Sequence, residues 1–420
     1  MKKKLRVGIL YGGRSGEHEV SLLSAASVLK AIDRKKYEVV PIAIDREGHW
    51  LSGDEALRLL DAPAKAKALD AAGSADVDEG SAEFATAAAV LRSGELLQIP
   101  PAPTHKDSLQ LSTGAQLVQP QNALTASLDV IFPVLHGTFG EDGTIQGLFE
   151  LANIAYVGSG VLGSSAGMDK DAAKRLFAQA GLPQTPHVTL LRSQWQADPK
   201  RATRQIEKSL EYPLFVKPAN LGSSVGISKV HARGELAAAL DLAATYDRKI
   251  VVEQGVGGIH GKAREFEVGI LGNDQPEASV VGEIVPNKEF YDYESKYSDS
   301  PEAPSIPIIP AELTAAESKQ IRQMALDAFR ACDCSGLARV DFLMEPKASG
   351  KGKSGGKDKK KSKSRIFLNE VNTLPGFTKI SMYPKLWQAS GVPYKKLIDR
   401  LIELAIERHD EKLQTRFTRA

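Results

Sequence analysis

Two short runs toward the carboxy-terminal end carry acids at spacings that can hold a cation. They are Arg339-Val340-Asp341-Phe342-Leu343 and Leu368-Asn369-Glu370-Val371-Asn372. Both read as strands, and in a strand alternate side chains share a face. Glu370 and Asn372 therefore point the same way, and pairing of the two runs brings Asp341 beside them. Three hard oxygen donors around a small space suit magnesium, which leaves its other positions to water and nucleotide phosphates. Arg339 stands two residues before Asp341 on the same face, where a fixed cation can meet a developing oxyanion. Upstream, Lys217-Pro218-Ala219-Asn220-Leu221-Gly222-Ser223-Ser224-Val225-Gly226 sets a lysine at a strand end before a Gly-Ser-Ser turn. Successive N–H groups in such a turn form an anion-binding concavity, and the lysine adds a point charge. Lys170 opens a helix in Met168-Asp169-Lys170. Taken alone, either lysine is more often a surface residue.

These residues need a scaffold, and the chain predicts three units. Leu5 to Leu10 reads as a buried strand leading into the turn Tyr11-Gly12-Gly13-Arg14-Ser15-Gly16. Val20, Leu23, Val28 and Leu29 follow on a helical period. Further strands at Tyr37 to Ile44 and Leu128 to Val134 give a βαβ rhythm, hence a parallel-sheet domain over residues 1–157. Residues 158–253 predict a small α+β domain. It holds a helix from Asp169 to Ala180, strands at Pro213 to Pro218, Val225 to Val230 and Lys249 to Glu253, and a helix from Glu235 to Ala244. Residues 254–420 predict the third unit, with a strand from Glu265 to Leu271 and a helix from Ala311 to Ala331. It continues through the Asp341–Asn372 hairpin to a terminal helix from Tyr394 to about Arg416. The Ala-rich region from Asp54 to Thr125 suggests only one helix, a hairpin and loops.

A length of 420 residues suits two or three domains. Apolar residues at 42% and charged residues at 25% are those of a soluble globular chain. The start Met1-Lys2-Lys3-Lys4-Leu5-Arg6 is basic, but the apolar run from Val7 to Leu10 is too short for a signal peptide. No run reaches the roughly 18 to 20 apolar residues of a membrane span. The two cysteines, Cys332 and Cys334, are too close to bridge readily and read as core. These features predict a cytoplasmic protein. The charge is uneven: Lys347 to Arg365 holds eight Lys, one Arg and one Asp, a net +8 against +2 for the whole chain, which leaves −6 elsewhere. That Lys/Gly/Ser composition cannot bury apolar area and predicts a disordered insert over about 347–365 rather than a nucleic-acid site. The turn Gly8-Ile9-Leu10-Tyr11-Gly12-Gly13 lacks the Gly-x-Gly-x-x-Gly spacing of a dinucleotide-dependent oxidoreductase.

Beyond these readings, the chain resembles the D-alanine–D-alanine ligases of the ATP-grasp superfamily. Three stretches carry the likeness. One is the Asp341–Asn372 region with Thr373-Leu374-Pro375-Gly376, and another is His136-Gly137-Thr138-Phe139-Gly140-Glu141-Asp142-Gly143. The third is Phe290-Tyr291-Asp292-Tyr293-Glu294-Ser295-Lys296-Tyr297, similar to that family's mobile active-site loop. The likeness runs in order from about Gly8 to about Pro393. It implies an α/β chain with the ATP-grasp fold: an amino-terminal parallel-sheet domain and two α+β domains that sandwich ATP. It implies ATP and two magnesium or manganese ions, D-alanine as substrate, a homodimer, and a place in peptidoglycan precursor synthesis.

Residue by residue, the resemblance implies metal binding by Asp341, Glu370 and Asn372. It implies ATP binding by Lys170, Lys217, Ser224 and Lys296, with Glu253 at the adenine edge and Glu265 at the ribose. Glu265 follows a segment from Glu253 about five residues longer than the family pattern. Glu19 would engage the first D-alanine's ammonium, in a triad with Ser223 and Tyr297. His136 and Glu141 would lie by that amino acid, and Arg339 by the carbonyl under attack. A backbone N–H near Gly376 would join Arg339 at the oxyanion, and Ser381 with the N–H of Met382 would take the second carboxylate. The hairpin from Met344 to Phe367 runs to 24 residues, longer than the family pattern. The nearest rival within the family is a D-alanine–D-lactate ligase, against which Tyr297 speaks.

Overall fold

The computed structural model describes residues 4–60, 97–98, 112–113, 128–257, 262–285, 306–346 and 364–416. The first sheet gathers β1 (Leu5–Gly12), β2 (Tyr37–Ile44) and β3 (Trp50–Ser52). After a two-residue pairing of β4 (Leu97–Gln98) with β5 (Ser112–Thr113), it adds β6 (Val130–Pro133) and β7 (Ala155–Tyr156). Their order is β3-β2-β1-β6-β7, parallel except for β3. The centre strand β1 is buried on both faces from Val7 onward, as a parallel strand covered on both sides must be. The expected βαβ domain is present, and the helix His18–Ala31 follows the glycine turn.

A second sheet, antiparallel, has the order β10-β9-β11-β8, from β8 (His187–Leu191), β9 (Leu214–Pro218), β10 (Ser228–Val230) and β11 (Lys249–Gln254). The strand expected from Val225 is confined to Ser228–Val230, because the backbone through Ser223, Ser224 and Gly226 turns with positive φ. Helices Arg192–Ala197 and Pro199–Ser209, which sequence reading did not anticipate, cover this sheet together with Arg233–Tyr246.

The third sheet, also antiparallel, has the order β14-β13-β12-β15-β16. It comprises β12 (Arg264–Gly272), β13 (Glu277–Val285), β14 (Ile306–Ile308), β15 (Gly336–Met344) and β16 (Ile366–Asn372). Its covering helix spans Ala315–Ala331 rather than starting at Ala311. Thr314 caps it by accepting from the Glu317 N–H, and Glu317 returns a bond to the Thr314 N–H. Two helices pack outside the units that sequence order suggests. Lys170–Gln179 sends Ala173 and Phe177 into the core of the third sheet. The terminal helix Tyr394–Lys412 sends Leu397, Ile398, Leu401 and Ile402 into the core of the first. The structure does not describe most of the Asp54–Thr125 region, the Phe290–Tyr297 loop or residues 347–363 of the Lys-rich insert.

Candidate active site

Strands β15 and β16 pair with Asp341 opposite Glu370 and Arg339 opposite Asn372. Strict alternation would put Leu368 on the same face as Glu370. The register instead shifts at this point, pairing Phe342 with Leu368 and passing over Asn369. This bulge turns Leu368 into the core with Phe342 and leaves Glu370 on the cleft face with Asp341. On the other side of β15, β12 sets Glu267 opposite Asp341. One transverse row therefore reads Glu267, Asp341, Glu370.

Arg339 lies among these acids. Its Nε and one terminal nitrogen donate to the two Asp341 oxygens at 2.8 and 2.7 Å, and Nε lies 3.2 Å from Glu267 Oε2. Burial alone would lower its pKa, but Asp341, Glu267 and Glu370 together hold it well above the ordinary value. The guanidinium stays charged. Asn372 Oδ1 accepts from the Leu374 N–H at 3.2 Å, which orients the amide and leaves the oxygen a further lone pair. Asp341, Glu370 and Asn372 thus offer hard oxygens on adjoining strands, a donor set that fits magnesium. Glu265 stands on the same strand face as Glu267, two residues away.

The two lysines expected to meet the nucleotide come from two elements. Asp169 caps the helix Lys170–Gln179 through the Ala172 N–H, so Lys170 is its first residue. The Lys170 ammonium donates to Leu221 O at 2.7 Å, and its backbone N–H to Ala219 O at 2.9 Å. This ties the helix start to the glycine-serine turn. Lys217, at the end of β9, lies 3.2 Å from Glu253 on the neighbouring β11. Glu253 is 3% exposed, and its second oxygen accepts from Thr185 Oγ1 at 3.1 Å. In the turn, Ser223 and Ser224 hold φ of 50° and 60°, a strained conformation for residues with a Cβ.

The expectation for Glu19 is corrected here. Glu19 is 48% exposed and pairs with Arg46 on the outer surface. It is Glu17, only 7% exposed, whose carboxylate accepts from Ser223 Oγ. The reason lies in the helix start. Glu17 is the residue before the helix, with non-helical φ −106° and ψ 20°, and its side chain reaches Ser223. Glu19 sits in the first helical turn and faces away. Two backbones close around the Glu17 carboxylate: a Cβ at position 137 would come within 2.6 Å of Oε2 and one at 222 within 2.8 Å. Both positions are glycine, and Gly137 also has φ +75°.

His136 is buried and both its nitrogens are occupied. Nδ1 meets Leu374 O at 3.0 Å, and Nε2 meets Ser24 Oγ at 3.0 Å. A carbonyl only accepts, so Nδ1 carries the proton and Nε2 accepts from Ser24. Burial pushes the pKa down to about 4, so the ring is neutral near pH 7. His136 therefore braces the Leu374–Phe377 turn, and Ser24 also accepts from the Phe377 N–H at 3.3 Å. Glu141 Oε1 accepts from the Gly137 N–H at 2.9 Å, and burial, then the charge of Glu17, raises its pKa well above the carboxylate range. Past the turn, Thr378 and Ser381 bond to each other at the start of the helix Met382–Ala389. Ser381 thereby stands at that helix start with Gly376 beside it.

Lys296 and Tyr297 lie outside the described residues. Sequence reading missed Glu17, Glu267, Thr185, Ser24 and Lys174. Glu267 and Lys174 had a signal, standing two residues along a strand from Glu265 and four along a helix from Lys170.

Comparison with known proteins supplies the family. A model of the D-ala D-ala ligase N-terminus matches residues 6–159, and one of the D-ala D-ala ligase C-terminus matches residues 176–353 and 357–403. The D-alanine–D-alanine ligase of Geobacillus kaustophilus is 46% identical over 415 residues, covering 99% of this chain and 98% of its own. That of Bacillus licheniformis is 45% identical and covers 99% of each chain. Among solved structures, the D-alanine-D-alanine ligase from Coxiella burnetii superposes with a TM-score of 0.73 at 32% identity, covering 98% of this chain and 96% of that one. The VanG D-Ala:D-Ser ligase from Enterococcus faecalis gives 0.71 at 32%, covering 96% and 100%. Two family models that together span most of the chain, and full-length relatives at this identity, place it in the D-alanine–D-alanine ligase family.

Proposed function

We propose that this chain is an ATP-dependent carbon–nitrogen ligase that joins two D-alanines into D-alanyl-D-alanine, for peptidoglycan precursor synthesis. The observation that carries the reading is that Glu17, bonded to Ser223, and Arg339 and Glu370 of the third sheet all act on the one buried carboxyl of Glu141, beside Asp341 and Asn372. A carboxylate is a poor electrophile, so the first D-alanine must be activated. Its carboxylate oxygen attacks the γ-phosphorus of ATP, ADP departs, and an acyl phosphate forms. The amine of the second D-alanine then attacks the acyl carbon and phosphate leaves.

Each residue has a part in this sequence. Glu17 receives the first ammonium, with Ser223 fixing its orientation. Lys170, Lys217 and Lys296 meet the ATP phosphates, with Ser224 in the same turn, and Glu253 and Glu265 face the adenosine. Arg339 keeps Nε and one terminal nitrogen on Asp341 and turns the rest of its fork to the oxyanion, joined by a backbone N–H near Gly376. Ser381 and the Met382 N–H hold the second carboxylate at a helix start. Two magnesium or manganese ions held by Asp341, Glu370 and Asn372 would neutralise charge on the transferring phosphoryl group.

A homodimer and a cytoplasmic location belong to the same reading. Among the described residues no helix is long and apolar enough to cross a membrane. The test is phosphate release from ATP with D-alanine, L-alanine, D-serine and D-lactate offered singly and in pairs. Release should need D-alanine alone and give dipeptide. A preference for D-serine or D-lactate as acceptor would move the chain to another branch of the family, and no release with any D-amino acid would end the ligase reading.

A further inference from the structure

Lys174 stands one helical turn beyond Lys170, on the same face of the helix Lys170–Gln179. It is among the largest fully buried side chains of the protein, 2% exposed. Its ammonium lies 3.3 Å from Glu253 Oε1, and the Lys217 ammonium lies 3.2 Å from the same oxygen. Two lysines from different elements thus converge on one buried carboxylate oxygen. Among the described residues no acceptor meets Lys174 Nζ at hydrogen-bond angles, so it serves Glu253 as a charge more than as a donor. Burial lowers the Lys174 pKa. At Glu253 the opposite side wins: burial would raise it, but Lys174 and Lys217 bring it down to about 2. The carboxylate has two cations, whereas each lysine shares one anion.

We propose that Lys174 is a positioning residue of the nucleotide site, the standing counter-charge of Glu253 that lets Lys217 leave that carboxylate for a nucleotide phosphate. The inference rests on the ATP reading above. One carboxylate and two ammoniums make a trio of net +1, so one lysine can move to an anion while Glu253 stays paired. Without Lys174, the same movement strips Glu253 of its last cation in a place closed to water, and a lone buried charge is strongly unfavourable. Lys217 would then remain on Glu253, and ATP would bind poorly.

The experiment uses full-length Lys174→Met, Glu253→Gln and the double variant, with ATP-dependent phosphate release at saturating D-alanine and thermal midpoints for each. Lys174→Met should raise KM for ATP by about tenfold or more, with kcat within about threefold of the parent. Adding Glu253→Gln should bring the KM to that of Glu253→Gln alone, because no carboxylate then holds Lys217. A space-filling role would lower the midpoint without that convergence, and parent-like KM in Lys174→Met would equally overturn the proposal. If Lys174→Met does not fold, the double variant against Glu253→Gln decides. Equal KM supports the counter-charge role, and a further rise of about tenfold means that Lys174 binds the nucleotide itself, which overturns it. A parent that releases no phosphate with D-alanine would fail the ligase reading instead, since that arm carries no substitution.

Discussion

Ser223 donates its hydroxyl to Glu17, a bond between the glycine-serine turn of the second sheet unit and the helix start of the first. In the proposed function it ties the turn assigned to the phosphates to the carboxylate assigned to the first ammonium, so the two binding events would be linked. A hydrogen bond to a charged group contributes about 1.5–3 kcal/mol. Glu17→Gln should therefore raise KM for the first D-alanine by about tenfold to a hundredfold. Glu19→Gln, on the exposed face with Arg46, should stay within about threefold of the parent. Initial rates against D-alanine concentration decide between them, and a reversed pattern would return the substrate role to Glu19.

Glu370→Gln keeps the volume of the side chain and removes its charge. It should lower turnover by about a hundredfold or more at saturating magnesium, with an unchanged thermal midpoint. Near-normal turnover would remove Glu370 from the metal set.

Burial takes the His136 pKa from its ordinary 6.5 to about 4. The folded protein thus refuses a proton that the unfolded chain accepts between those values, so stability is full above about pH 6.5 and falls as pH drops toward 4. The loss from this residue by pH 4.5 is roughly 2–3 kcal/mol. Urea midpoints at pH 7 and 4.5 should fall further in the parent than in His136→Asn, which keeps a donor and an acceptor but does not titrate. Equal losses would show that another group governs the acid limb.

The insert leaves from a closed base. Glu345 and Arg365 are joined through both oxygens, and Met344 pairs with Ile366 across the ladder. Replacing residues 349–364 by a short Gly-containing turn should keep activity within about threefold, since the Glu345–Arg365 pair and the Met344–Ile366 register are left in place. A collapse of activity would mean that the segment covers the cleft or assembles the enzyme.

Asp341, Glu370, Asn372 and Arg339 were legible because strand alternation and motif order agree on their face. The bulge at Asn369 was not. Ile366, Leu368, Glu370 and Asn372 alternate on paper as one face, and only packing of Leu368 against Phe342 resolves the conflict. Glu17 and Glu19 could not be separated for a similar reason: helical periodicity has no value for a residue whose backbone is not yet helical. Lys174 carried only its four-residue spacing from Lys170 as a signal, and a lysine in a helix normally reads as solvated. Its burial follows from docking of that helix against the third sheet, a contact that composition does not signal.

The terminal helix has a consequence for synthesis. Leu397, Leu401 and Leu404 share a core with Val7, Ile9 and Val130, and Arg408 binds Gly158 O and Ser335 Oγ. The core of the first sheet is therefore incomplete until the helix Tyr394–Lys412 has emerged from the ribosome, although its own strands are finished by Tyr156. During translation the amino-terminal unit must wait with an apolar face uncovered. Its stability depends on that later helix, and a truncation before Tyr394 would cost the amino-terminal unit part of its core.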